Sequence, residues 1–438
     1  MKKRVLLQCQ SLTYFYNGLG AVYTKYPGEN IDIDVLFTNN SFIAKSFIEK
    51  IKASKYVQNA YIYDYQTFSK ISKKIKKNKK NKFNTYLFNR FYKPKIFKTL
   101  RKQFNNYEYT DIVYSHETQS NIISYLKFAY PGAHFIMTGD GAGLLMGSNS
   151  RLVDPLMKNP FEYKFFDEMK PDEIIALAPV LEDDSFDVSN IPISAINVQI
   201  LLKIIFEDEK IQNEINTFTE DILEKYRHCK NKVLILTTLL SDIRLNMSKD
   251  SQVQIYADMI DKYCPDNGLV ILKLHPTARE DFIYSVKEKC KKNCELVFIP
   301  SYLKEYPVEI YYNLIQNLDF VITFLSSSCI SLARLYNIKT VDAYEITQKY
   351  PLKDKVNSSF KINNEIINLL KDWDEKSLLY KCDLASELVK LYSEEKIPDD
   401  KKERKKLSLL QKIFSVTNCY SDYGKKKQIV IFGIKIKI

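Results

Sequence analysis

Short unbroken apolar runs recur along the chain, each followed by a stretch of helical periodicity. Val5 to Gln10, Ile33 to Phe37, Ala60 to Tyr63, Ile112 to Tyr114 and His134 to Met137 are such runs in the first half. Lys232 to Thr237, Leu269 to Lys273, Glu295 to Ile299, Phe320 to Thr323 and Thr340 to Asp342 repeat the pattern in the second. An apolar run without alternation is a strand buried on both faces, as in a parallel sheet. Helical stretches lie between them: one capped by Asn39-Asn40-Ser41 and running to about Ser54, one ending near Phe128, Val198 to Cys229, Gln252 to Cys264, Ile310 to Asn317, and one ending near Tyr336. Strands alternating with helices predict an α/β protein with crossover connections.

With 438 residues the chain is too long for one ordinary core. Residues 1–195 are expected to form one Rossmann-like domain and 196–400 a second, joined through the acidic, turn-rich stretch from Leu181 to Ser194. The halves share no repeat at the level of residue identity. A basic insert, 66–106, interrupts the first. Between Lys70 and Lys82 eight of thirteen residues are Lys, and Phe83, Tyr86, Phe88, Phe91, Tyr92 and Phe97 follow. The last segment, 401–438, holds eleven Lys or Arg against Glu403 and Asp422. Lys401 to Val416 has the spacing of an amphipathic basic helix, and Gln428 to Ile438 alternates Ile with Lys like a small hairpin or edge strand. Both basic segments suit either an anionic membrane surface or a solvated face.

The net charge of +12 favours an anionic partner. The Lys, Ile, Asn and Tyr richness is also what an AT-rich genome produces. No nucleic-acid-binding motif occurs, so nucleic acid is not an expected partner. The eight cysteines are scattered, and the closest pair, Cys290 and Cys294, has no second pair at zinc-site spacing. Reduced thiols and a cytoplasmic location follow, and the two basic segments allow a peripheral place on the inner membrane. The N-terminal apolar stretch is too short, and too interrupted by Gln, for a signal peptide. No run approaches the length of a membrane span.

Three features fall where predicted strands end, the edge at which open α/β sheets bind ligands. Gly139-Asp140-Gly141 sets an uncrowded carboxylate in a turn, suited to a general base for a hydroxyl nucleophile. Lys273-Leu274-His275-Pro276 presents a histidine at a strand end, where Pro276 cannot continue the ladder. Ser326-Ser327-Ser328 opens a helix, where hydroxyls and free N–H groups can hold a phosphate. His116 also ends a strand near the expected cleft. Each alone has an ordinary reading, as a turn, a core histidine or an N-cap. Together they describe glycosyl transfer from a nucleotide-activated sugar. The Asp32-Ile33-Asp34 motif lies inside a strand pattern and should not chelate a metal at a cleft.

The order Asp-Gly, Lys-x-His-Pro, Pro-x-Glu (Pro307-Val308-Glu309) and a Ser pair resembles the bacterial sialyltransferases, the group of lipooligosaccharide sialyltransferases and capsular polysialyltransferases. The similarity spans about Ile112 to Asp342 in motif order and spacing. The resemblance implies a GT-B fold: two Rossmann-like domains with parallel sheets facing a central cleft. It implies a CMP-sialic acid donor, no cofactor, no metal, and inversion by a single displacement onto a glycan acceptor, a capsular polysaccharide or lipooligosaccharide. On this pattern Asp140 is the base, His275 assists CMP departure, Glu309 binds the cytidine ribose, and two of Ser326, Ser327 and Ser328 hold the phosphate. The family usually has an acidic residue before the base. Here Gly139 stands there, which bears on the acceptor class. Two alternatives remain: a transferase using CMP-Kdo or another nucleotide sugar, and a non-catalytic membrane-surface assembly factor.

Overall fold

In the computed structural model, β1 (Lys3–Cys9) is an inner strand, third in a seven-stranded sheet. Val5, Leu6 and Leu7 are fully buried, as an unalternating apolar run requires. After it come α1 (Leu12–Lys25), β2 (Ile31–Thr38), α2 (Lys45–Lys52) and β3 (Asn59–Tyr63). Then follow β4 (Asp111–Ser115), α3 (Ser120–Ala129), β5 (His134–Thr138), β6 (Glu173–Ala176), β7 (Val180–Glu182) and β8 (Ile193–Ala195). The order is β3-β2-β1-β4-β5-β6-β8, and every pairing is parallel. The residues described are 2–38, 45–63, 101–102, 104–115, 120–139, 171–177, 180–182, 190–237, 248–275, 281–323, 326, 328–347, 349–350, 379–381, 414–421, 424–431 and 434–437.

Two helices, α4 (Val198–Glu207) and α5 (Glu209–Lys225), lead into the second half. There β9 (Lys232–Leu236), α6 (Lys249–Tyr263), β10 (Leu269–Lys273), α7 (Asp281–Lys289) and β11 (Glu295–Phe298) are followed by β12 (Phe320–Thr323), α8 (Ser328–Tyr336) and β13 (Thr340–Asp342). The five-stranded sheet runs β11-β10-β9-β12-β13, again wholly parallel. Its order repeats that of the first five strands of the other sheet. Two Rossmann-like halves of one winding, in series along the chain, make the expected GT-B architecture. A short parallel pair joins β7 to β14 (Leu379–Lys381). All of this lies in one compact unit, Met1–Leu388. A second unit, Val389–Ile438, contains the antiparallel strands β15 (Phe414–Ser421), β16 (Gly424–Ile431) and β17 (Ile434–Lys437). Among the described residues no helix is long and apolar enough to cross a membrane.

Several elements depart from the sequence reading. The stretch expected as a linker, Leu181 to Ser194, supplies part of β7 and of β8, the latter an edge strand of the large sheet. The expected helix Val198 to Cys229 breaks at Asp208. That side chain is buried and accepts hydrogen bonds from the Tyr16 hydroxyl (3.0 Å) and the Ser54 hydroxyl (3.1 Å), both in the first half. Burial pushes its carboxyl pKa up despite those two donors. The helix expected through Val416 gives way to strand from Phe414; residues 401–413 and the basic insert from 66 to 100 lie outside the described residues.

The helix α1 is rich in Tyr, Phe, Thr and Gly, which are poor helix formers, so packing rather than propensity makes it. The Ser11 side chain caps it, accepting from the Tyr14 N–H at 3.3 Å. Gly18 lets its backbone lie against β1, where a Cβ would overlap the fully buried Leu7 side chain. One apolar cluster then continues from Leu19 and Val22 through α4 and α5 to Leu236, Leu303 and Leu314. Gly18→Ala is therefore expected to lower the unfolding free energy by about 1–3 kcal/mol in a denaturant titration. Gly132→Ala, at a turn with open space around it, is expected to leave it unchanged.

Candidate active site

Parallel pairing carries the ends of β9, β10 and β12 to one edge of the second sheet. At the end of β9 the Thr237 N–H donates to the Lys273 carbonyl (3.0 Å), and the Thr237 hydroxyl accepts from the His275 N–H (2.9 Å). These two bonds fix the backbone that presents His275 after Leu274, which is buried. Burial lowers the His275 pKa from the ordinary histidine value, and the neighbouring Lys273 charge lowers it further. A neutral imidazole offers one N–H donor and one acceptor. A phosphate arriving beside it would draw it back toward the charged form.

Lys273 is 7% exposed. Its ammonium donates to the Lys304 carbonyl at 2.8 Å. Desolvation brings its pKa down to about 8, and the Glu309 carboxylate opposes part of that fall. Glu309 lies in a turn of 3-10 helix, Val308–Ile310, which Pro307 leads into. Its carboxylate accepts from the Ser331 hydroxyl, and its backbone carbonyl accepts from the Tyr336 hydroxyl. Ser331 also contacts the Ser328 carbonyl (3.2 Å), and the Ser328 N–H donates to the Ser326 hydroxyl (3.3 Å). Glu309 thus joins Ser328 and Ser326 through Ser331 in one polar chain, and the Glu309 charge also acts on Lys273. Glu309 and Ser331 border a cavity of about 10 Å³, roughly one water molecule in size, whose opposite wall is α1 with Thr13, Tyr16 and Asn17.

Gly139 is buried directly after β5. Asp140, Gly141, His116, Pro276 and Ser327 lie outside the described residues. Two further hydroxyls at strand ends, Thr138 on β5 and Thr323 on β12, are buried with no hydrogen-bond partner among the described residues. Such groups cost roughly 1–3 kcal/mol each unless water or a ligand meets them. Sequence reasoning passed over Thr237, Ser331 and Tyr336. Ser331 could have been found three residues after Ser328, on the same helix face. Thr237 could have been found as a polar residue closing an apolar run beside that of His275.

The Asp32-Ile33-Asp34 motif has a structural task. Asp34 is fully buried and accepts from Arg4 Nε (3.0 Å), Tyr109 Oη (2.8 Å) and Asn59 Nδ2 (2.8 Å), while Asp32 pairs with Lys2 (2.7 Å). With its oxygens engaged, Asp34 is not available to a metal-bound diphosphate. A second Asp-x-Asp, Asp372-Trp373-Asp374, lies outside the described residues.

No family model and no curated protein matches the chain. Solved structures resemble it distantly. A UDP-GlcNAc 2-epimerase from Neisseria meningitidis, bound to UDP-GlcNAc, is similar over 89% of this chain and 99% of its own, at 10% identity and a TM-score of 0.46. An α/β-galactoside α-2,3-sialyltransferase from the luminous marine bacterium Photobacterium phosphoreum is similar over 85% of this chain and 98% of its own, at 11% identity and a TM-score of 0.41. Phytolacca americana UGT2, complexed with UDP-2fluoro-glucose and pterostilbene, is similar over 89% and 94%, at 10% identity and a TM-score of 0.43. At this distance a likeness identifies no reaction.

The buried ammonium of Lys273 has a measurable signature. Its folded pKa of about 8 lies below the ordinary lysine value of 10.5, so the unfolded chain binds more protons between those values and stability rises with pH there. Lys273→Met removes this effect. Relative to the variant, the wild type is expected to gain up to about 3 kcal/mol of unfolding free energy from pH 8 to about 10.5, read from denaturant titrations at a series of pH values. At pH 7, where both states are protonated and the burial penalty is full, the variant is expected to be no less stable than the wild type.

Proposed function

We propose that the chain is an inverting, metal-independent glycosyltransferase. It moves sialic acid, or a related nonulosonate, from a CMP-activated donor to a hydroxyl of a bacterial surface glycan, a capsular polysaccharide or lipooligosaccharide. What carries the reading is the carboxyl edge of the second sheet, where the backbone-locked His275 follows β10 and Ser326 and Ser328 follow β12, tied through Ser331 to Glu309. That rim offers donors and positive charge to an anionic leaving group, and it coincides with the motif order of the resembled family.

The reaction is a single displacement. The acceptor oxygen attacks the anomeric carbon as Asp140 takes its proton. The bond from that carbon to the phosphate oxygen breaks, and its electron pair leaves with CMP. The departing phosphate gains a second negative charge, so a donor aimed at that oxygen stabilises the transition state more than the ground state. His275 supplies that donor, Ser326 to Ser328 hold the other phosphate oxygens, and Glu309 receives the ribose hydroxyls. Lys273 sets the charge balance around Glu309 and His275. The chain works in the cytoplasm, with its basic segments against the anionic leaflet of the inner membrane.

Incubation with CMP-sialic acid and a panel of glycan acceptors is expected to release free CMP and yield products heavier by one or more sialic acid residues, seen by mass spectrometry. His275→Ala and Asp140→Ala are each expected to lower turnover by roughly two to four orders of magnitude. Full activity in either variant overturns the assignment. CMP release with a Kdo donor alone leaves the fold and the site but refutes sialyl transfer.

A further inference from the structure

The last strands of the chain carry a pattern that the transfer reaction does not use. In an antiparallel sheet, residues directly opposite share a face, as do residues two apart on a strand. The register pairs Phe414 with Ile431 and Ile431 with Ile434; two residues along each strand, it pairs Val416 with Ile429 and Ile429 with Ile436. Two cross-strand rows of three apolar residues therefore occupy one face. The same face continues toward the 422–423 connection with Lys427 opposite Asn418 and Lys425 opposite Tyr420. The other face takes Val430 with Ser415 and Lys435, then Gln428 with Thr417 and Lys437, then Lys426 with Cys419. The three strands hold five lysines and no Asp or Glu.

A three-stranded sheet with one apolar face needs a cover. Charge decides which cover fits. Lys425 and Lys427 share the apolar face and sit at its border. That placement suits the boundary between hydrocarbon and phosphate headgroups, since a lysine stem can lie along apolar surface while its ammonium reaches an anion. A second copy packed on this face would bring its own Lys425 and Lys427 to the same seam, four lysines with no acidic residue in the strands of either sheet to offset them, which disfavours it.

We propose that this sheet is a membrane-docking surface, with the face of Phe414, Val416, Ile429, Ile431, Ile434 and Ile436 resting on a bilayer rich in anionic phospholipid. It rests on the membrane reading given above and adds the segment and the face that make the contact; it does not depend on the transfer reaction.

Co-flotation of the full chain with vesicles tests it. Binding is expected to equimolar phosphatidylglycerol and phosphatidylcholine, about 100-fold weaker to phosphatidylcholine alone, and to fall steeply as salt rises from about 0.1 M to about 1 M. Ile429→Asp with Ile436→Asp is expected to weaken binding about 100-fold. Val430→Asp, on the opposite face of the same strand, is expected to bind like the wild type. Lys425→Gln with Lys427→Gln, which keeps the apolar rows, is expected to weaken binding about tenfold. If the wild type does not float, this proposal and the membrane reading both fall; a cover made by another segment of the chain, or by a second copy seen as a concentration-dependent dimer, gives that outcome. If the wild type floats and the Ile429, Ile436 variant floats equally well, membrane contact stands and the face is wrong. Equal loss in that variant and in Val430→Asp also overturns the proposal, because the register then does not choose the face.

Discussion

Parallel pairing is the constraint from which the rest of the molecule follows. When every strand of a sheet runs the same way, all carboxyl ends arrive at one edge, and the crossover helices cover both faces. Thr237, His275 and Thr323 are separated by dozens of residues, yet they close three strands of one sheet in which β9 is the common neighbour. The first sheet is wound in the same order, so Ser115, Thr138 and Gly139 lie at its corresponding edge. Polar residues kept out of the strand interiors can gather there without disturbing the apolar layers.

That gathering has an energetic consequence. Lys273 is held in a place that disfavours its charge, and its pKa falls to about 8. Thr138 and Thr323 bury hydroxyls without a partner among the described residues. Groups of this kind lower stability in the absence of ligand and persist where they serve a site. Glu309 shows the opposite treatment. Ser331 holds its carboxylate and Tyr336 its backbone carbonyl, so its position is set before any ligand arrives. An oriented carboxylate next to a reluctant cation suits a recognition site better than a stabilising ion pair, because burying the pair returns little net free energy.

The halves are also joined by more than a linker. Asp208 interrupts the helix between them and takes hydrogen bonds from Tyr16 on α1 and Ser54 beyond α2. Gln212 on α5 donates to the Ile310 carbonyl (3.0 Å), one residue from Glu309. Packing in α1 therefore reaches the second-half site through a shared apolar cluster and a short chain of polar contacts. The helix that carries this task is the one whose composition argues least for a helix.

The apolar runs determined the strands by themselves. Leu269–Lys273, Phe320–Thr323 and Thr340–Asp342 form as their patterns predict, since a strand buried on both faces announces itself in a few consecutive residues. The same rule placed His275 at a strand end and set Lys273, Ser326 and Ser328 apart as candidates, while Glu309 was a candidate only through the resemblance in motif order. It could not show that Ser331 ties three of them together, because that contact is made across elements. Nor could it reveal α1, where close packing of Gly18 on Leu7 overrides weak propensity. The break at Asp208 and the strands β7 and β8 depend likewise on partners far along the chain. Local pattern is decisive where one segment alone meets the requirement of burial. Where the requirement is shared between segments, as for a buried carboxylate or an edge strand, only the tertiary structure decides.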